Sequence, residues 1–142
     1  MTWSISVSEE VRGFLKDLTN DERTEVSACI SLLRELGPNL RRPQSDTLRN
    51  SKHSNMKELR VPYGRKQFRI LYAFDTEQNA ILLVGGDKVP LGDKRWYPKF
   101  IGVADKLYDE HLDGLKAEIK QKTPATKAVR TAKKARGKGK QK

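Results

Sequence analysis

Basic side chains occur on two neighbouring segments, Met56 to Tyr63 and Gln67 to Asp75, whose composition is typical of β-strands. Because successive side chains of a strand point to opposite faces, Arg60 and Arg69 are expected as neighbours on the sheet face that the helices leave free. Three further cations are expected near the edges and the turn: Lys57, Arg65 and Lys66. Such a patch suits the neutralisation of a phosphate backbone. The alternative is a set of solvated charges on an exposed sheet face.

Other kinds of reaction centre find little support. Cys29 is the only cysteine and lies among apolar residues of a predicted helix, which indicates a core position rather than a nucleophile or a metal ligand. His53 and His111 are far apart, and no histidine or carboxylate pair has the spacing of a metal site. We therefore expect no metal and no small-molecule cofactor. His53 is expected to be solvated in a polar loop, with a role as a base as the alternative.

The net charge of +11 is distributed unevenly along the 142 residues. Residues 41–99 hold 13 basic and 6 acidic side chains, and residues 119–142 hold 10 basic and no acidic ones. Two separate basic segments favour a nucleic acid as partner. A membrane partner is disfavoured because the tail lacks an aromatic or leucine anchor. The first ten residues do not resemble a secretion signal, so we expect a cytoplasmic protein.

The N-terminal part of the sequence predicts one strand followed by two antiparallel helices. Trp3 to Val7 alternates apolar and polar side chains, as a half-buried strand does. Ser8 is placed to cap a first helix, and Thr19 with Glu22 forms the pattern of a capping box that opens a second helix. Gly37-Pro38 is expected to end this second helix.

The rest of the domain predicts a sheet and one more helix. Residues 39–55 indicate a long basic connection, and three strands with short turns follow: Met56 to Tyr63, Gln67 to Asp75, and Ala80 to Val84, which Gly85-Gly86 closes. Such short turns favour an antiparallel meander. A third helix is expected after Pro98, packed on the sheet. We predict a small α+β domain over residues 1–118 and a disordered basic tail over residues 119–142, which is too poor in apolar side chains to fold.

Three segments in order resemble the phage-derived branch of the RelE/HigB toxin superfamily: Asn55 to Arg60, Phe68 to Asp75, and Leu83 to Lys88. The similarity takes in the two N-terminal helices and Trp96 to Leu115, so it covers residues 3 to 116. The resemblance implies a RelE-like domain, with an N-terminal strand and two helices, an antiparallel sheet meander and a C-terminal helix.

The resemblance also implies a type II toxin that enters the ribosomal A site and cuts messenger RNA without a metal. A co-transcribed helix-turn-helix antitoxin would hold it inactive. The ribose 2′-OH would attack the adjacent phosphate, so the site has to remove that proton, neutralise the phosphorane and protonate the departing 5′-oxygen. By position, the resemblance matches the family's catalytic groups to five residues: Arg69 as the transition-state arginine, Lys57 and Arg60 on the first sheet strand, Lys88 after the last strand, and Tyr97 for base stacking or proton transfer.

Further cations are expected to bind RNA outside the reacting atoms. They are Arg65 and Lys66 in the turn, and Lys133, Lys134 and Arg136 in the tail, which resembles basic extensions that bind RNA or DNA through counterion release. A solvated tail without a function is the alternative.

Two other functions stay open. The first is a ParE-like toxin, which binds DNA gyrase and performs no chemistry. The second is a non-catalytic nucleic-acid-binding protein, in which the basic middle and tail hold RNA or DNA and nothing is cut.

Overall fold

A mixed five-stranded sheet forms the centre of the fold. The computed structural model describes residues 2–122. The elements in chain order are β1 (Ile5–Val7), α1 (Glu9–Lys16), α2 (Asn20–Leu36), a 3-10 turn (Gly37–Asn39), β2 (Ser45–Thr47), β3 (Lys57–Tyr63), β4 (Lys66–Phe74), β5 (Ala80–Asp87) and α3 (Asp93–Lys122). The strand order is β1-β5-β4-β3-β2, with β1 parallel to β5 and all other pairs antiparallel. The predicted α+β class is confirmed.

Local sequence signals determine where α1 and α2 begin and end. The backbone N–H of Val11 donates to the Ser8 hydroxyl at 3.0 Å, and Thr19 and Glu22 form both hydrogen bonds of a capping box. α2 ends at Gly37, whose φ is +56°, and a Cβ at this residue would lie 2.4 Å from the Trp3 indole. Glycine is therefore required there both by the backbone and by the packing. The predicted caps are confirmed.

The predicted antiparallel meander is confirmed, and the structure adds one strand at its edge. Residues Ser45–Thr47, which the sequence assigns to a long connection, form β2 and pair with β3. A short Ser-Asp-Thr segment has no strand signal of its own, so backbone pairing with β3 decides its conformation. β5 also continues through Gly85-Gly86 to Asp87, where the sequence predicts its end before the glycines.

Helices α1 and α2 cover one face of the sheet. The core on this side joins side chains of both helices to alternate residues of β3, β4 and β5, including Val11, Val26, Leu33, Leu59, Ile70, Tyr72 and Leu82. Cys29 is a member of this core, as predicted, and burial raises the pKa of its thiol to about 11. The thiol therefore stays protonated at neutral pH.

Helix α3 begins earlier than the sequence predicts, and its first part covers the other face of the sheet. It starts at Asp93 and contains Pro98 as its sixth residue. Proline costs the helix one backbone hydrogen bond, and the burial of Trp96, which is 1% exposed, favours the extension. The Tyr108 hydroxyl donates to the backbone carbonyl of Phe74 at the end of β4. The expectation that one sheet face stays free is therefore wrong.

The chain divides into two compact units, one ending at Asp109 and the other beginning at Glu110, so the boundary falls within α3. The sequence predicts a tail from residue 119, whereas helical backbone continues to Lys122. The remaining tail, residues 123–142, lies outside the described residues. Within residues 2–122 no helix is both long and apolar enough to cross a membrane.

Candidate functional site

Two arginines lie side by side on the sheet face that α3 covers. Arg60 of β3 and Arg69 of β4 are directly opposite in the antiparallel register, so their side chains share a face, as predicted. Their exposure differs from the expectation, because Arg69 is only 6% exposed while Arg60 is half-buried. Gly86 of β5 lies opposite Arg69, and a Cβ there would meet the rings of Phe100 and Trp96 at 3.2–3.3 Å. The glycine thus lets α3 pack close to Arg69.

A buried carboxylate lies between the two guanidinium groups. Glu58 is 4% exposed. One of its oxygens lies 3.3 Å from Nε of Arg60, and the other lies 3.5 Å from Nε of Arg69. The sequence places Glu58 on the face of Arg60 but gives it no role. Glu58 and Arg60 are two positions apart in β3, so their side chains lie on the same face of the sheet. This spacing was the sequence signal that could have identified Glu58 as a member of the cluster.

Several nitrogen donors in this cluster have no well-aligned hydrogen-bond acceptor. Arg69 donates from Nη1 to the Phe68 carbonyl and from Nη2 to the Gln67 side chain, both at 3.0 Å. In the described part of the chain, however, Nε of Arg60 and Nε of Arg69 form ion pairs with Glu58 but no well-aligned hydrogen bond, and Nε1 of Trp96 is buried without an acceptor. An unsatisfied buried donor costs about 1–3 kcal/mol. The two arginine Nε groups are thus paired electrostatically with Glu58, whereas Trp96 Nε1 lies buried with no acceptor among the described residues.

The Tyr97 hydroxyl joins α3 to this cluster. It donates to Glu58 Oε1 at 2.7 Å. Burial, and then the hydrogen bond to the Glu58 carboxylate, raise the pKa of Tyr97 to about 12, although Arg69 acts in the opposite direction. At neutral pH the phenol is therefore protonated and donates its hydrogen bond to Glu58.

Lys88, just beyond the end of β5, lies beside Tyr97. Its ammonium group lies 5.6 Å from the centre of the Tyr97 ring and 2.8 Å from a carboxylate oxygen of Asp93. Its backbone N–H donates to the carbonyl of Gln67. The structure thus brings together four of the five residues matched by the resemblance: Arg60, Arg69, Lys88 and Tyr97.

The fifth residue, Lys57, lies on the other face of the sheet. It is opposite Tyr72 on β4 and Thr47 on β2, so it shares the face of the α1/α2 core. There it lines a separate cavity with Arg41 and Arg42. Successive side chains of a strand point to opposite faces, and Lys57 is an odd number of positions from both Glu58 and Arg60. Lys57 therefore lies on the opposite face of the sheet from these two residues. The structure does not bring Lys57 together with Arg69.

The predicted RNA-binding cations are also dispersed. Lys66 forms an ion pair with Glu22 of α2 at 2.6 Å, which lowers the pKa of that carboxyl, and Arg65 is exposed in the turn between β3 and β4. The tail residues Lys133, Lys134 and Arg136 lie outside the described residues.

An open cavity of about 410 Å³ adjoins the paired arginines. Gln44, Gln67 and two prolines complete its lining beside Arg60 and Arg69. Cations and amide side chains around an open cavity are suited to binding an anionic group such as a phosphate. The lining of this cavity contains no carboxylate.

His53 lies away from this cluster. The sequence predicts that it is solvated, and this prediction is wrong. It is half-buried, its Nε2 lies 2.8 Å from Asp109 Oδ1, and its ring packs edge-on against Tyr108. These contacts fix the loop before β3 to α3. Among residues 2–122, no three histidine, cysteine or carboxylate side chains come together as a metal site would require.

Comparisons with known proteins agree with the fold and the sequence resemblance. The family described as "Phage derived protein Gp49-like (DUF891)" matches residues 13–109. Two relatives from Mycobacterium tuberculosis are similar: the putative toxin HigB2, 41% identical over 78% of this chain and 54% of the relative, and the putative toxin HigB3, 48% identical over 72% of this chain and 88% of the relative. The match thus spans about half the length of HigB2.

The fold is similar to that of the Escherichia coli toxin RelE, solved as a mutant in the free state. The TM-score is 0.53 at 13% sequence identity, and the match covers 75% of this chain and 97% of RelE. At this identity the similarity concerns the fold alone.

Proposed function

Because the chain belongs to the phage-derived Gp49-like family of the RelE/HigB superfamily, we propose that it is the toxin of a type II toxin–antitoxin system and cuts messenger RNA on the ribosome. An antitoxin of helix-turn-helix type is the proposed protein partner, and the cytoplasm the proposed location. The observation that carries the proposal is the pairing of Arg60 and Arg69 beside an open cavity, next to the protonated Tyr97.

The proposed reaction begins with attack of a ribose 2′-OH on the adjacent phosphate, with the hydroxyl proton passing to solvent. It ends when the bond to the 5′-oxygen breaks and a 2′,3′-cyclic phosphate is left. The phosphorane that forms carries an extra negative charge, which the guanidinium groups of Arg60 and Arg69 stabilise. Glu58 holds both guanidinium groups through ion pairs, so their positive charge is already in place when negative charge develops on the phosphorane.

Tyr97 is the proposed proton donor to the departing 5′-oxygen. With a pKa of about 12 its hydroxyl is protonated at neutral pH, and it holds a proton 2.7 Å from Glu58. Glu58 is the proposed positioning residue, because it contacts Arg60, Arg69 and Tyr97. Lys88 adds a positive charge beside Tyr97.

The basic tail is a proposed second contact for RNA. Residues 119–142 hold ten basic and no acidic side chains, so any RNA they bind would be held through its phosphates and without sequence preference. The catalytic domain is proposed to be residues 1–118.

The test is inducible expression in a bacterial host, with and without the adjacent gene, followed within minutes by mapping of messenger RNA 5′ ends. New cuts inside translated frames that the neighbouring gene suppresses would support the proposal. Growth arrest without cuts would instead indicate a ParE-like action on gyrase, and the absence of arrest a binding protein.

Arginine variants make the same assay residue-specific. Arg60→Ala, at a half-buried position, should reduce cutting on the order of 100-fold, as loss of one charge-stabilising donor does. Arg69→Ala should have an equal or larger effect, but Arg69 is buried against Glu58, so its folding has to be checked by circular dichroism. The matched control is Arg12→Ala, because the Arg12 side chain is exposed on α1. This variant should cut messenger RNA as the wild type does.

A further inference from the structure

The separate cavity that Lys57 lines, here called the edge cavity, holds cations from two parts of the chain. Its volume is about 400 Å³, and Arg41, Arg42 and Lys57 are its basic lining residues. The two arginines precede the edge strand β2, and Lys57 lies opposite Thr47 of β2 on the neighbouring strand β3. The pairing of β2 with β3 therefore brings these cations together.

Two of the three cations have no carboxylate partner. Within residues 2–122, the side chains of Arg41, which is exposed, and Lys57, which is half-buried, form no ion pair and no hydrogen bond. Arg42 differs, because its Nε and Nη2 donate to Asp46 Oδ2 at 3.0 and 2.8 Å. Asp46 is the one carboxylate among the described lining residues, so the edge cavity keeps an excess of positive charge.

The inner wall of the edge cavity is fixed by the core. Ser45 is buried, and its hydroxyl shares a hydrogen bond of 2.6 Å with the Tyr72 hydroxyl. Leu40, another lining residue, is buried in the core that α1 and α2 form with the sheet. A cavity fixed in this way loses less conformational freedom when it binds a ligand.

We propose that the edge cavity binds a phosphate group of an RNA strand, at a distance from the phosphate that is cut. The proposal rests on the proposed function for the identity of the nucleic acid. Arginine binds phosphate through paired hydrogen bonds and lysine binds it as a point charge. Lys57, which the structure separates from Arg69, acquires a role on the face where it lies.

The position of the edge cavity favours a polynucleotide over other anions. Arg42 lines the edge cavity, and the next two residues, Pro43 and Gln44, line the cavity beside Arg60 and Arg69. The two cavities thus border one short segment of the chain. An RNA strand that crosses this segment meets cations on both of its sides, which a free phosphate or a single acidic side chain does not.

The test is binding of a 2′-O-methyl hexanucleotide, which has no free 2′-OH to react, to the full chain. NMR should show shifts at the Thr47 amide and at the Lys57 side chain. The double variant Arg41→Gln, Lys57→Gln should bind at least about tenfold more weakly at low salt, as loss of one charge-assisted hydrogen bond does. The slope of log K against log salt concentration should become shallower by about 0.7, the value for one phosphate of a single strand.

The matched control is the double variant Lys16→Gln, Arg34→Gln, which also removes one lysine and one arginine, from exposed positions on α1 and α2. It should bind the hexanucleotide within about twofold of the wild type, since exposed charges far from the ligand are screened by salt. Circular dichroism checks that the variants fold. Arg41→Gln alone changes only an exposed side chain and should weaken binding in the same direction as the double variant.

Inorganic phosphate and a hexaglutamate peptide are the competing probes. The proposal is overturned if the hexanucleotide leaves Thr47 and Lys57 unshifted, or if inorganic phosphate shifts them and the hexanucleotide does not. Tighter binding of the peptide at these two residues would overturn it in favour of an acidic protein segment. An equal loss of affinity in both double variants would also overturn it, because it would indicate a general effect of charge.

This result is separate from the test of the proposed function. If messenger RNA is cut on expression but the hexanucleotide does not shift Thr47 and Lys57, only the edge cavity fails as a phosphate site. If the hexanucleotide binds there but no messenger RNA is cut, only the proposed activity fails.

Discussion

Tyr97 donates a hydrogen bond to Glu58 over 2.7 Å, and this contact connects α3 to the strand that carries Arg60. The two residues are 39 positions apart in the chain. Glu58 in turn lies between the guanidinium groups of Arg60 and Arg69. The protonation of Tyr97 and the charge of Glu58 are therefore coupled, and this coupling can be measured without any substrate.

Glu58→Gln should lower the pKa of Tyr97 from about 12 toward its ordinary value of about 10, because the amide removes a negative charge that favours the protonated phenol. Burial remains in the variant, so the fall should be partial. The measurement is a pH titration of the tyrosine ring carbons by NMR. Tyr72, whose pKa is raised to about 12 mainly by burial in the core, is the internal control and should titrate unchanged. An unchanged Tyr97 would contradict the assigned contact.

The stability of the protein should decrease at high pH. Tyr72 and Tyr97 both have pKa values raised to about 12 in the folded state, against about 10 in an unfolded chain. Their contribution is therefore complete below pH 10 and is lost as the pH rises toward 12. Urea unfolding across this range should show a shallower pH dependence for Tyr97→Phe than for the wild type.

Asp109→Asn should destabilise the protein at neutral pH. The hydrogen bond from Lys52, together with that from His53, lowers the pKa of the Asp109 carboxyl. A lowered folded pKa stabilises the protein above the unfolded value of about 4, and this stabilisation is lost as the pH falls through the folded value. The difference in unfolding free energy between variant and wild type should therefore shrink between pH 6 and pH 3. Asp113→Asn, at an exposed position, should show no such trend.

Thr19→Ala should cost about 1 kcal/mol of unfolding free energy, because it removes the hydroxyl that accepts from the backbone N–H of Glu22 at the start of α2. Urea denaturation measures this loss. Thr24→Ala is the matched control, since the Thr24 hydroxyl only donates back to the Asn20 carbonyl within the helix. A Thr24 variant as unstable as the Thr19 variant would argue against the cap as the cause.

Removal of residues 123–142 should weaken RNA binding without lowering thermal stability. For every phosphate that the tail no longer neutralises, the slope of log K against log salt concentration should become shallower by about 0.7 for single-stranded RNA. The measurement is a salt series with a 2′-O-methyl oligonucleotide, which has no free 2′-OH to react. The charge control is a full-length Lys16→Gln, Arg34→Gln variant, which lacks two exposed cations elsewhere. A fall in melting temperature on truncation would instead indicate that the tail supports the fold.

Most of the secondary structure could be predicted from the sequence because local signals determine it. Ser8 and Thr19 cap their helices, Gly37 ends α2, and alternation defines β3 and β4. The same alternation correctly made Arg60 and Arg69 neighbours. It could not show that Ser45–Thr47 pairs as a strand, because that short segment depends on a partner distant in sequence.

The sequence by itself determined the α+β class, the caps, the meander and the pairing of two arginines. Tertiary structure alone decided that α3 covers their face, buries Arg69, adds Glu58 to the cluster and leaves Lys57 on the opposite face. The physical reason is that a two-residue period shows which side chains share a sheet face. What packs on that face depends on contacts between elements that are far apart in the chain.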